Sequence, residues 1–220
     1  MTVAGMGSLR LVAYPTEYAQ RIRTIPEAAD HVRRAEVSLR GWNFPHTDRE
    51  SSGAFGDGVE SWTRSKGFRE IREAYRLYRS GLFVWSCALR EDAGGLKSES
   101  GKPALSFVEV IYSFTEHLMF CARLYEAIAP DSSVRIEIVL DGCKGRELSA
   151  FDAWVAWSPG KISSEDTISV VETVRVVELR ASYAEIALRI ARHVFHVFNW
   201  LDVQDQVISV WQQKLLKRQF

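Results

Sequence analysis

The sequence has little cysteine: its three residues, Cys87, Cys121 and Cys143, form no CxxC pair. Zinc ribbons and thioredoxin-like redox sites therefore have little support. A chain of 220 residues, 46% of them hydrophobic, can bury a full core without disulfides or a structural metal. We expect one α+β domain over residues 1–220, located in a reducing cytoplasm.

The chain also lacks an excess of charge of either sign and any long apolar run. Lys plus Arg and Asp plus Glu both total 28, so the net charge is zero. Bulk electrostatic attraction to nucleic acid or to an anionic membrane is not expected, and only a local patch could supply it. The opening MTVAGMGSLRLVAYP lacks the basic start and apolar centre of a signal peptide. No run approaches the roughly 20 apolar residues that span a bilayer, so we expect no membrane association.

Familiar catalytic sequence motifs are missing as well. DGCKGREL, from residue 141, has glycines and a lysine but not the GxxxxGK[ST] frame, and it is typical of a hairpin turn. Neither HExxH nor ExxH occurs. The sequence therefore predicts no cofactor and favours a non-catalytic protein.

The hydrophobic patterns predict antiparallel strands packed by two long helices. Alternation indicates strands at 8–14, in a group between 58 and 90, at 133–142, at 150–157 and at 167–180. Apolar residues at steps of three and four predict helices at 105–129 and 183–203, the second capped by Ser182 with Glu185 three residues on. Shorter helices are expected at 25–37 and at the C-terminal end, and loops at 43–58 and 91–104. This order suggests two similar strand-strand-strand-helix halves.

The stretch RLYRSGLFVWSCALRED, residues 76–92, reads as two strands joined at Ser80-Gly81. A two-residue turn there would place Arg76 opposite Trp85 and Tyr78 opposite Phe83. One face would then carry Arg72, Arg76, Tyr78 and Trp85, a platform on which a base could stack while arginines hold phosphate or carboxylate. The alternative is a core-facing sheet with arginine stems along aromatic rings. We interpret this ribbon first as core and second as a candidate site.

The loop GWNFPHTDRE, residues 41–50, supplies further candidates. Trp42, His46, Asp48 and Arg49 could bind an anion there, or His46 could act as a general base. The alternative is that Trp42 anchors the loop while His46 and Asp48 are solvated. We expect any pocket for a small anionic ligand where loop 43–58 meets the ribbon 71–90, lined by Trp42, His46, Arg49, Arg72, Arg76, Tyr78 and Trp85.

Two histidine pairings are weaker candidates. His193 and His196 at i and i+3 could share a metal with Glu116 or His117, but such histidines in an apolar stripe are more often packing residues. His117 and Cys121 lie one turn apart, yet Cys121 belongs to an apolar stripe in which cysteine is usually inert. A metal site is therefore not predicted.

The strings VSLRGWNFPH, REAYRLYRSGLFVWSCALRED and LSFVEVIYSFTEHLMFCARL, in this order, carry a resemblance. Over residues 37–125 the chain resembles an uncharacterised bacterial region often found C-terminal to domains of the Schlafen-AlbA type, a class assigned to DNA binding. Residues 1–36 are too short to hold such a partner domain, so its function is not transferred. The resemblance implies an accessory module for sensing or docking in a bacterial cytoplasmic system.

Three functions follow as hypotheses. The first is a non-catalytic accessory or sensing module that binds a partner protein or a small anionic ligand, since seven tryptophans suit a binding surface. The second is a nucleic-acid-binding protein that uses the arginine and aromatic sheet face. The third is a hydrolase, which would need one of the histidine clusters. The sequence does not indicate an oligomeric state.

Overall fold

A computed structural model describes residues 5–48, 50–64, 72–151 and 157–219. These residues form nine strands, Ser8–Pro15 (β1), Ser52–Phe55 (β2), Gly58–Arg64 (β3), Arg72–Tyr78 (β4), Phe83–Ala88 (β5), Ala104–Ser106 (β6), Ser133–Asp141 (β7), Glu147–Ser149 (β8) and Thr167–Arg175 (β9). They also form five helices, Ile25–Ala35 (α1), Arg90–Ala93 (α2), Phe107–Ile128 (α3), Val176–Val197 (α4) and Asp205–Leu216 (α5).

The main sheet has seven strands in the order β2-β3-β4-β5-β1-β7-β9, and every neighbouring pair is antiparallel. A separate pair, β6 and β8, is parallel. The predicted α+β class, an antiparallel sheet packed by two long helices, is confirmed. The suggested two similar halves are not seen in the described residues, since β7 and β9 join the main sheet while β8 pairs with β6.

Helix α3 occupies the centre of the fold. Ser106 caps it by accepting a hydrogen bond from the Glu109 amide (3.2 Å), close to the predicted start. The helix contacts α1, α4 and α5 as well as the sheet, so residues around most of its circumference are buried. The Tyr125 hydroxyl donates to the Gly81 carbonyl oxygen (3.0 Å), which fixes the end of α3 to the β4–β5 turn.

Helix α4 begins earlier than the sequence suggested. The strand predicted to reach residue 180 ends at Arg175, and α4 follows directly from Val176, whose amide donates to Ser132 (3.0 Å). The predicted cap, Ser182, lies inside the helix but has non-helical backbone angles (φ −135°, ψ 26°). The capping pattern of Ser182 and Glu185 therefore marks a break inside α4. Val176 and Val177, predicted as strand, belong to the first turn of the helix.

Two predicted loops contain regular structure. Strand β2 lies within 43–58 and pairs with β3, while α2 overlaps the start of 91–104. Backbone pairing with β3 decided the first case, because the segment SGAF has no strong hydrophobic period of its own. Of the strand predicted at 150–157, residues 152–156 lie outside the described part.

The β4–β5 hairpin differs from its predicted register by one residue. Leu77 pairs with Phe83, Arg76 with Val84 and Tyr75 with Trp85. The Tyr78 amide donates to the Leu82 carbonyl oxygen and the Gly81 amide to that of Tyr78 (both 2.9 Å), so the turn contains three residues, 79–81. Gly81 has φ 87°, as expected for the last residue of such a turn. A one-residue slip moves every side chain to the other face, so the predicted pairing of Arg76 with Trp85 is wrong.

No helix in the described ranges is long and apolar enough to cross a bilayer.

Candidate functional site

Arg76 and Tyr78 lie on the face of the sheet opposite α3. The Arg76 side chain is 54% exposed, and its Nε donates to Glu60 Oε2 (2.7 Å). Its guanidinium lies 5.2 Å from the centre of the Phe55 ring, and the Tyr78 ring meets that ring edge-on at 5.0 Å. Arg76 and Glu60 therefore form a surface ion pair, with the rings of Phe55 and Tyr78 beside it.

Trp85 lies on the inner face and is only 4% exposed. Its Nε1 donates to Glu73 Oε1 (2.7 Å), and its ring packs edge-on against Phe44 and His117. Arg76 and Trp85 are therefore on opposite faces, and the predicted platform combining them is not formed. The interpretation of Trp85 as a core residue agrees with this burial.

A cavity of about 60 Å³ lies between the inner face of β4 and β5, the loop after α1, and α3. We call it the Arg40 cavity. The polar and aromatic side chains around it come from all of the strings quoted for the resemblance: Arg40, Trp42, Asn43, Phe44, Arg72, Glu73, Trp85, Cys87, Arg90, Glu91, Glu109, Ser113, Glu116 and His117. Of the seven predicted site residues, Trp42, Arg72 and Trp85 line it.

Arg40 is the centre of the charged groups in the Arg40 cavity. Its side chain is 8% exposed, and its Nη2 and Nε donate to Glu116 Oε2 at 2.5 and 3.1 Å. Its Nη1 donates to Glu109 Oε1 (2.6 Å). Glu109 and Glu116 are seven residues apart, two turns of helix, which places both carboxylates on the same face of α3. One guanidinium is therefore the shared partner of both acids, of which Glu116 is buried and Glu109 half-buried.

The two acids respond differently to this environment. Burial would raise the pKa of Glu109, but Arg40 and Arg90 together hold it below the usual value. Burial raises the pKa of Glu116, and the bonds from Arg40 offset part of that rise. The pKa of Arg40 lies above its usual value because, although burial lowers it, the two carboxylates more than compensate. The arginine therefore stays charged.

Trp42 lines the Arg40 cavity and its ring contacts two arginines. The guanidinium carbons of Arg40 and Arg90 lie 4.9 and 4.1 Å from the centre of its ring. Arg90 also contacts Glu109 (3.3 Å). The loop thus contributes a cation, Arg40, and an aromatic ring, Trp42, to the wall of the cavity.

Glu73 stands at a shared wall between the Arg40 cavity and a second cavity of about 210 Å³, the outer cavity. Trp62, 55% exposed, lines the outer cavity together with Arg72, Ala74 and Ser86. Besides Trp85 Nε1, Glu73 Oε1 accepts a hydrogen bond from the His46 amide (2.9 Å). Burial raises the pKa of Glu73, and these two neutral donors offset only part of the rise. His46 thus acts through its backbone, and its side chain is exposed.

His117 projects from α3 into this group. It is 1% exposed, packs against Phe44 and Trp85 with ring centres 4.4 and 4.6 Å away, and its Nδ1 has no hydrogen-bond partner within the described residues. Burial, and to a smaller extent Arg40, lowers its pKa to about 3. His117 is therefore neutral at physiological pH.

The other chemistry suggested by the sequence is not assembled. His193 and His196 are both exposed on α4, and in the described ranges no three His, Cys, Asp or Glu side chains are grouped to hold a metal. Cys121 is fully buried, and burial raises the pKa of its thiol. Arg49 lies outside the described residues.

Sequence reasoning missed Arg40, Glu73 and Glu109 as site residues. The signal that could have found them is the spacing of Glu109 and Glu116, two acids seven residues apart on a largely apolar helix. Acids on the buried side of such a helix require a cation nearby.

Comparison of the chain with protein-family models, with curated proteins and with solved structures gave no match.

Proposed function

We propose that the chain is a non-catalytic binding module, and that the Arg40 cavity and the outer cavity together hold a small ligand with a cationic, hydrogen-bond-donating group. An organic ammonium or amidinium is the chemical class that fits. The observation that supports this most directly is Glu73, a half-buried carboxylate at the shared wall of both cavities. The outer cavity supplies volume and the exposed ring of Trp62.

A contribution to the free energy of unfolding would not by itself explain why so many ionic groups line the Arg40 cavity. A buried ion pair often contributes no more than an apolar pair of the same volume, because desolvation offsets the attraction. Clusters of groups with perturbed pKa values in a cavity are instead typical of functional sites. The four carboxylates and three arginines around the Arg40 cavity fit that description.

The donors of Arg40 are used within the site while acceptors remain available, which favours a ligand that donates hydrogen bonds. Arg40 directs its Nε, Nη1 and Nη2 at Glu109, Ser113 and Glu116. Acceptor capacity remains on Glu73, whose two donors share Oε1, and on His117 Nδ1. The anionic ligand expected from the arginines is less consistent with this balance than a cation. An accessory or sensing role in a bacterial cytoplasm, implied by the resemblance, is part of the same proposal.

Thermal unfolding with small ions tests the ligand class. Ethylammonium and acetamidinium chloride should raise the Tm in a concentration-dependent manner, whereas sodium acetate and sodium chloride at equal ionic strength should not. Glu73→Gln should remove the response to the cations. Glu60→Gln, the same change at a carboxylate that lines neither cavity, is the matched control and should retain it. A response to the anions alone, or an undiminished cation response in Glu73→Gln, would reject the proposal.

A further inference from the structure

Strand β9 forms an edge of the main sheet over nine residues, Thr167–Arg175. One side of it pairs with β7 along its full length, and no strand of the described part of the chain pairs with the other. Alternate residues of such an edge direct their N–H and C=O groups outward, where another strand can bind. The opposite edge, β2, has only four residues.

The β9 edge carries few of the features that block edge pairing. Its sequence, TISVVETVR, contains no proline and no lysine. Its one acid, Glu172, is neutralised by two hydrogen bonds from Arg189 of α4 (3.0 and 2.9 Å). The side chains facing away from the helices include Ser169, Thr173 and Val171, the last 39% exposed.

The edge is complementary to itself. When β9 is paired antiparallel with a second β9 about a twofold axis at Val171, residue i meets residue 342 − i. Ile168 then lies opposite Val174, and Ser169 opposite Thr173. Val170 lies opposite Glu172, and Val171 opposite its own copy. No two like charges face each other in this register, so the cross-strand repulsion that disfavours many edge pairings is absent from it.

The ends of the strand are complementary in charge. In the same register Arg175 lies opposite Thr167 of the other copy. Thr167 donates to Asp141 Oδ1 (2.8 Å), and the exposed Asp166 precedes it. Each arginine therefore meets an acidic corner of the other copy, and the twofold axis makes this contact twice.

We propose that the chain forms a twofold symmetric dimer by antiparallel pairing of β9 with a second copy, which joins the two main sheets into one sheet of fourteen strands. The partner is a second copy of this chain, since the edge matches its own sequence in side-chain type and charge. This surface is separate from the Arg40 cavity and does not depend on what the cavity binds.

Sedimentation equilibrium on the full chain tests the dimer. The wild type should have the mass of two chains at micromolar concentrations. Val171→Lys places two ammonium groups opposite each other at the twofold axis, and it should weaken self-association by about tenfold or more. Val210→Lys, the same change at an exposed position on α5 (46%), is the control and should remain dimeric.

A charge-swap mixture tests the register itself. Val171→Glu alone should weaken self-association in the same way, whereas an equimolar mixture with Val171→Lys should recover the mass of two chains. Hydrogen exchange of wild-type β9 amides, which needs no variant to fold, should slow as protein concentration rises. A monomeric wild type at about 100 μM, dimers unaffected by Val171→Lys, or β9 exchange independent of concentration would overturn the proposal.

Discussion

At the scale of single residues, Arg40 decides whether the buried and half-buried acids of α3 can be tolerated. Glu116 is 1% exposed, so its charge has almost no water to solvate it, and Glu109, two helical turns away, is half-buried. Their common partner is the guanidinium of Arg40. A planar group with several donors can serve two carboxylates at once, which a lysine ammonium does less well.

We expect Arg40→Met to lower the free energy of unfolding by roughly 3–5 kcal/mol, because the change leaves the buried carboxylate of Glu116 without its cation partner. Urea denaturation measures it. Glu116→Gln added to Arg40→Met should recover part of the loss. Arg33→Met, which removes an exposed ion pair with Asp30, should change stability by no more than about 0.5 kcal/mol. A loss for Arg40→Met as small as for Arg33→Met would contradict the assigned role.

At the scale of elements, the β4–β5 hairpin shows how one turn residue controls the location of many side chains. Gly81 takes the left-handed conformation that ends a three-residue turn. That length pairs Tyr75 with Trp85, so Trp85 reaches the Arg40 cavity and Arg76 reaches the surface. The turn is further held by Tyr125 of α3.

We expect Gly81→Ala to cost roughly 1–2 kcal/mol, because a left-handed backbone strains any residue with a Cβ. That Cβ would also lie 3.3 Å from Pro15 and Ile128, a close approach. The urea midpoint of the variant measures the loss. Gly56→Ala, in the β2–β3 turn where a Cβ meets nothing within 4 Å, should cost less. Equal effects of the two changes would exclude the conformational explanation.

At the scale of the whole molecule, α3 is a central helix that carries ionisable groups into the core. The pKa of His117 falls from 6.5 to about 3 on folding, chiefly because of burial. Between these values the unfolded chain binds a proton at this position and the folded chain does not, so stability falls as pH falls. Glu73 and Glu91, whose pKa values are raised by burial, act in the opposite direction.

We therefore expect His117→Phe to make stability less sensitive to acid than in the wild type. Between pH 6 and 4 the slope of unfolding free energy against pH should decrease by up to about 1.4 kcal/mol per pH unit. Phenylalanine keeps the ring contacts with Phe44 and Trp85. Urea titrations at several pH values measure the slope. An unchanged slope would mean that His117 already binds a proton in the folded state.

The α+β class and the two long helices could be predicted from the amino-acid order, because hydrophobic periods over many residues report burial directly. The amino-acid order also placed a turn at Ser80-Gly81 and identified Trp85 as a core residue first. The tertiary structure alone decided the hairpin register, since turns of two and three residues fit the same letters. It alone brought Arg40, Glu73 and Glu116 together, because charged residues far apart in sequence leave no periodic signal and meet only once strands and helices pack.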